Sequence, residues 1–421
     1  MKYTSNLRLI PLNKRVTSII ILIVGIAISV VIFLPYILVE EPYFITIQND
    51  DDLKFWSSSG NGTIENPYTI EGHHIQIPRN DPDDFDVPCI PENSVISIHG
   101  VTKSFVIQNN YIEVRGGCEY DSQYIISISD ISVPFAIRNN YFRGGYADCF
   151  RLHNIDGLNS VISNNRIYSA GAYISNSHNI SFSNNQFSTR GNAYGTYIYQ
   201  STNISYVQNY FYLSDVNIRD CSHILLHDNI FENDETYSSW ILVTIWETDY
   251  CTITDNTFIN GGLDLRSFEI SYPTAIISGN IINGKPYGLF YNQTNVIIDG
   301  TTKYGQIKLV FCKCSKIIDQ VISKISPPIL IENCVDTTVA NSTISNCKWG
   351  GVLIKSSINT SVLDCVIEVR HTGVMGEDSH GIFVKRNMFS NSIYGIHLDG
   401  CTGFIEEDNV FEGVEWEVES Y

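Results

Sequence analysis

The chain has 421 residues; 43% are hydrophobic, enough for a core, and 25 Tyr, 20 Phe and 29 Gly against 17% charged residues mark a β-rich chain rather than a helical or disordered one. Its formal charge is −19, and because Lys2, Arg8, Lys14 and Arg15 all precede the first acidic residue, Glu40, the remainder carries 22 basic against 45 acidic groups, a net of −23. Such a surface repels phosphate backbones, which excludes nucleic acid as a partner.

In chain order, the first feature is an uncharged run from Val16 to Val39, rich in Ile and Val and long enough to span a bilayer as a helix. Lys14 and Arg15 stand before it and acidic residues follow it. The rule that basic flanks stay inside therefore predicts residues 1–15 in the cytoplasm, a signal-anchor helix at 16–39 in the cell membrane, and everything after Glu40 outside. A cleavable signal peptide would have a shorter apolar region and a small-residue cleavage site, which Tyr36 to Glu41 does not show. Residues 40–96 read as a linker and lead-in cap.

From about residue 97 to 412 the chain repeats a short phrase, apolar-x-x-Asn-x-apolar. Its Asn falls at Asn110, Asn140, Asn165, Asn185, Asn209, Asn229, Asn256 and Asn280; degenerate copies follow at Gly300, Gln320, Ser342 and Cys365, and the Asn returns at Asn387 and Asn409. Two places after this marker the residue is large and apolar in every copy but the one at Thr302, and three places before it in every copy but the one at Glu406. Eleven places before it runs a third column, through Ile174, Ile198, Ile218 and Ile245, then Glu269, Leu289 and Leu309, to Leu398. Each copy thus supplies inward-pointing residues from short strands joined by polar turns, and cannot bury its apolar face alone. Stacked copies make a continuous core in which each strand pairs with its equivalent one copy on, an all-β parallel β-helix with the marker Asn side chains bonded in a ladder. The acidic segment 413–421 reads as a tail.

The marker phrase resembles the right-handed parallel β-helix repeat shared by pectate-lyase-like enzymes, polygalacturonases, phage tailspikes and NosD-type periplasmic proteins. Gly60 to Gly72 resembles the lead-in of membrane-anchored NosD-like β-helix proteins of archaeal type. The resemblance implies a right-handed solenoid of about 14 coils, one for each copy of the marker. It leaves activity open, because this scaffold hosts lyases, hydrolases, epimerases and binding proteins. Polygalacturonases carry an Asn-Thr-Asp triplet, an Asp-Asp pair, a His-Gly and an Arg-Ile-Lys set; of these only His380-Gly381 is matched within the repeats, which speaks against that activity. A copper role, which NosD would imply, lacks clustered ligands: there are 3 Met, and the 10 His are scattered apart from His73-His74.

Lyases and epimerases need a base and charge stabilisation beside a uronate carboxyl. Glu332, Lys355, Glu377 and Asp399 share one column that flanks an inward one, so they point outward one above another about 5 Å apart. With Asp378, His380 and His397 nearby, the catalytic candidates are Lys355, Glu377, Asp378, His380, His397 and Asp399. The close carboxylates Glu377 and Asp399 are also the candidates for calcium, although a solvated acidic stripe is the plainer reading. On the same outward face, earlier in the chain, stand Tyr173, Tyr197, Tyr199, Trp246 and Phe290, with Arg219 among them. Such aromatic platforms suit the C–H faces of sugar rings, and aromatics are also simply favoured on strands.

Eleven Cys is an odd and high count. Cys221, Cys312, Cys334 and Cys401 occupy a turn column otherwise filled by small residues, where Cys312 and Cys334 on adjacent coils come close enough to bond. Cys89 and Cys118 flank irregular sequence and are the expected disulfide. No Cys-x-x-Cys spacing points to zinc. Sequons at Asn61, Asn179, Asn203, Asn292, Asn341 and Asn359 are candidate glycosylation sites. The sequence therefore predicts a single-pass membrane protein whose β-helix stands outside the cell and binds polysaccharide or serves the envelope structurally, with no cofactor required and the oligomeric state open. A lyase, hydrolase or epimerase acting on an acidic glycan is the alternative, and an adhesin or protein-interaction spike the second.

Overall fold

The apolar columns become three stacked faces. In the computed structural model, which describes residues 44–77, 94–114, 124–157, 159–189, 195–234, 240–266 and 274–421, a typical coil has strands Thr196–Tyr199, Thr202–Val207 and Tyr210–Tyr212. Each pairs in parallel and in register with the next coil, Ile198 on Ile218, Ile204 on Ile224 and Phe211 on Phe231. Alternation along each strand sends these side chains into the core and Tyr197 and Tyr199 outward. Phe187, Phe211, Phe231 and Phe258 stack at centroid spacings of 4.8, 4.7 and 5.0 Å, fully buried. Burying each ring contributes roughly 2–3 kcal/mol.

Turn chemistry fixes the corners. The residue before the marker has left-handed backbone in every copy but that at Asp299, as at Asn184 (φ 54), Gln208 (φ 56) and Asp228 (φ 54), and a second left-handed position falls five residues earlier, at Asn179, Asn203, Asp336 and Asn359. Asn and Asp tolerate this conformation best among non-glycine residues. The marker Asn side chains form the expected ladder. Asn185 Nδ2 donates to Asn209 Oδ1 (3.0 Å), Asn209 Nδ2 to Asn229 Oδ1 (3.1 Å) and Asn229 Nδ2 to Asn256 Oδ1 (2.9 Å), each amide also donating to a buried main-chain carbonyl.

The result is an all-β right-handed parallel solenoid of about 12 turns, against the fourteen copies of the phrase. The repeat is least regular at the Gly300 copy, which has no strand directly after its marker. Ile281–Ile282 turns through Asn283 (φ 49) and Gly284 (φ 76) into an antiparallel hairpin with Lys285–Tyr291, pairing Ile282 with Lys285. Two positive φ angles in an Asn-Gly pair are what a two-residue hairpin needs. Lys285–Tyr291 then pairs with Gln306–Val310, while Gly261–Arg266 has a strand neighbour on one side only among the described residues, Trp240–Trp246.

This break shifts the register that spacing alone assigned. Phe290, not Leu289, pairs with inward Leu309, so Phe290 leaves the outward stripe, packs on the core and contacts Tyr304 edge-on at 5.9 Å. Leu265, paired with Ile245, fills the inward place assigned to Glu269, which lies outside the described residues. Two boundaries move as well. Coil stacking begins at Ile45–Ile47, paired with Ser94–His99, and a short helix Asp50–Trp56, capped by the Asn49 side chain, inserts Leu53 into the core. The acidic tail is a strand, Trp416–Ser420, paired with Tyr394–Asp399.

Among the described residues no helix is long and apolar enough to cross a membrane; segment 16–39 lies outside them, as do Cys89 and Cys118.

Candidate functional site

The outer face of the sheet containing Thr196–Tyr199 presents two outward columns. One runs Tyr173, Tyr197, Asn217, Thr244, Asp264 and, past the break, Lys308, Leu330, Leu353, Met375 and His397. The other runs Tyr199, Arg219, Trp246, Arg266 and, past the break, Glu332, Lys355, Glu377 and Asp399. Between them lies a groove of about 760 Å³ that brings Tyr197, Trp246, Lys355 and Glu377 together. The aromatic and charged patches that the sequence suggested separately are therefore parts of one surface.

The groove's floor is the break itself. Gly261–Arg266 has no partner strand on its far edge among the described residues, and side chains satisfy its main chain there: Leu263 N–H donates to Gln306 Oε1 (3.2 Å), and Lys308 Nζ donates to the Leu265 carbonyl. Lys308 also pairs with Glu332 Oε2 at 3.0 Å, and both side chains are nearly inaccessible, at 3% and 4% exposure. Asp264, equally buried, pairs with Arg266. Burial pulls the Lys308 ammonium below its ordinary range, against the opposing attraction of Glu332 and Asp264. Tyr287 sits against the same two carboxylates; its hydroxyl is buried without a hydrogen-bond partner, and burial followed by those charges pushes its pKa up. Glu332 is thus no part of a solvated stripe.

Aromatic and acidic groups complete the walls. Arg219 lies over the Trp246 ring at 4.9 Å, the Trp246 indole N–H has no acceptor, and Tyr173 stacks on Tyr197 at 6.3 Å. Trp349, in the corner before Gly350–Lys355, stands exposed on the opposite wall and contacts His371 at 5.5 Å. Asp215 lines the same groove, its carboxyl raised by burial although Asn217 donates to it at 2.8 Å. Four carboxylates (Asp215, Asp264, Glu332, Glu377) thus face three cations (Arg266, Lys308, Lys355).

Other expected site residues lie elsewhere. His380 opens a strand of the neighbouring face, His380–Lys385, its Nδ1 2.8 Å from Thr402 Oγ1; Asp378 is exposed in the preceding turn. His397 does share the outward column, but Glu419 takes its Nδ1 at 2.8 Å. Asp399 follows Glu377 in register and is exposed. Among the described residues no three His, Cys, Asp or Glu side chains converge to hold a metal; His74 stacks on Tyr111 at 4.6 Å. The sequon residues Asn179, Asn203, Asn292, Asn341 and Asn359 all occupy left-handed turn positions, which accounts for Asn there without a glycan, and Asn61 is exposed in a loop. Asp264, Arg266, Lys308, Asp215 and Trp349 were not singled out from sequence.

Two family models match the chain: the periplasmic copper-binding protein (NosD) over residues 266–416 and the right-handed beta helix region over residues 153–303. The copper in the first description finds no donor cluster here among the described residues. No curated protein matches in sequence. Similar solved structures include PfbA, a surface adhesin of Streptococcus pneumoniae (12% identity, 77% of this chain and 84% of that one, TM-score 0.30). Another is the A-module of the mannuronan C-5 epimerase AlgE4 of Azotobacter vinelandii (13% identity, 78% and 89%, TM-score 0.23). The fold and the two family models, each matching part of the chain, support the right-handed parallel β-helix superfamily.

Proposed function

We propose that the protein binds an uncharged polysaccharide along this groove, outside the cytoplasm, with segment 16–39 as its membrane anchor. The observation that carries the reading is the groove's composition: aromatic faces at Tyr197, Trp246 and Trp349 stand over a floor whose charges are already paired with one another. Aromatic faces take the apolar side of a sugar ring, and fixed polar groups orient its hydroxyls. Lining charges that sum to about −1 on a chain of −19 give no attraction for a polyuronate, which disfavours the acidic glycan. In a panel of neutral and uronate polysaccharides the protein should retain a neutral member, and Trp246→Ala or Trp349→Ala should weaken that binding about tenfold, roughly the loss of one stacking contact. Preference for uronates, or binding indifferent to both substitutions, would sink the reading.

A second reading, hydrolysis of the bound chain, is favoured by Asp215, whose burial keeps its carboxyl protonated to higher pH, as a general acid requires. It predicts shortened products that disappear in Asp215→Asn while binding persists.

A further inference from the structure

The turns after several outer-sheet strands carry a small side chain whose oxygen or sulfur accepts from the main-chain N–H one coil earlier. Ser177 N–H donates to Ser201 Oγ at 3.2 Å, and Cys334 N–H to Ser357 Oγ at 3.0 Å. Between Cys312 and Cys334 both members of the ladder are thiols: Cys312 N–H donates to Cys334 Sγ at 3.4 Å, and both residues are buried. Pairing on each side, Val310 with Glu332 and Lys313 with Val335, holds the two coils at one inter-strand spacing. That spacing, about 4.8 Å, lies within the Cα separation of about 4.4–6.8 Å that a disulfide spans.

We propose that Cys312 and Cys334 close to a disulfide as the chain folds in an oxidising compartment, stapling the coil that carries Lys308 to the coil that carries Glu332 and so fixing the floor of the groove. The timing follows from burial, since neither sulfur is accessible once the coils have stacked. Closure removes two protons and two electrons from the thiols, and a small disulfide or a disulfide-bearing oxidoreductase takes them up and leaves as the dithiol. The pairing rests on geometry alone, while its occurrence in the cell rests on the extracytoplasmic reading above.

The full chain, unfolded in reductant, is refolded in a mixture of oxidised and reduced glutathione, blocked with N-ethylmaleimide and mapped by mass spectrometry without reduction. The expected result is one peptide containing Cys312 joined to one containing Cys334. A variant carrying both Cys312→Ser and Cys334→Ser should fold with an unchanged circular dichroism spectrum, because Ser fills this column elsewhere. It should melt about 4 °C below the oxidised protein, and reductant should lower its melting temperature by less than it lowers that of the unsubstituted protein. Both cysteines blocked after refolding, or either joined to Cys314 instead, would overturn the pairing. A linked peptide on refolding together with free thiols in protein taken from its native membrane would overturn the compartment and leave the geometry standing.

Discussion

Removing one partner of the buried pair beneath the groove should be far more damaging than removing both. In Lys308→Met the Glu332 carboxylate, 4% exposed, loses the ammonium 3.0 Å away, and the Leu265 carbonyl loses its donor. An uncompensated buried charge costs about 3–5 kcal/mol. In the double variant Lys308→Met, Glu332→Leu the charge problem is gone and the orphaned carbonyl remains, at about 1–3 kcal/mol. The orphaned carbonyl is common to both variants and cancels, so the double variant should be the more stable of the two by about 3–5 kcal/mol, read as the difference in unfolding free energy from urea titrations followed by circular dichroism. A Lys308→Met protein within about 1 kcal/mol of the original, or a double variant worse than the single, would show that the pair does not organise the break.

Two further substitutions probe the scaffold. Asn209→Leu leaves the main-chain and side-chain N–H groups of Asn185 without their acceptor and the Phe182 carbonyl without its donor, which should cost roughly 3–5 kcal/mol in chemical denaturation, whereas Asn409→Leu at the half-buried end of the ladder should cost much less. Asp148, in strand Tyr141–Ile155, has its carboxyl pushed up to about 6 by burial. Folding therefore takes up a proton between the ordinary 3.8 and about 6, so its contribution is most favourable below that window and falls as pH rises through it, by up to about 3 kcal/mol. Asp148→Asn should flatten this part of the stability-versus-pH curve, and an unchanged slope would count against the buried carboxyl as its source.

Wherever a coil repeats its predecessor, the architecture could be read from spacing. The marker Asn needs a partner at one fixed offset, the core needs Phe211 under Phe231, and the corner needs Asn or Asp at φ near 55, as at Asp228; each demand leaves a residue type in a column. Between residues 283 and 306 the columns fail because a hairpin interrupts the repeat, and the groove opens beside it. A fixed offset from Gly300 put Leu289 inward and Phe290 outward, the reverse of what the hairpin register gives. The signal was present as Asn283-Gly284, a hairpin pair between apolar runs, and it would have located the break. Lys308 and Glu332 could not be paired from sequence, since their contact joins the two outward columns across adjacent strands, and Trp349 reaches the groove from a corner that the strand columns do not describe. His380 illustrates the converse error: its nearness in sequence to Glu377 carries it around a turn to another face.

The groove's purpose is tested most directly by titrating the protein and its Trp246→Ala variant with neutral and uronate oligosaccharides of matched length in a calorimeter. A neutral oligosaccharide bound by the protein, with affinity about tenfold weaker in the variant and no comparable uronate binding, is the predicted result. Equal affinities in protein and variant, or binding confined to uronates, would contradict the assignment of this aromatic and internally charge-paired face as a site for uncharged glycan.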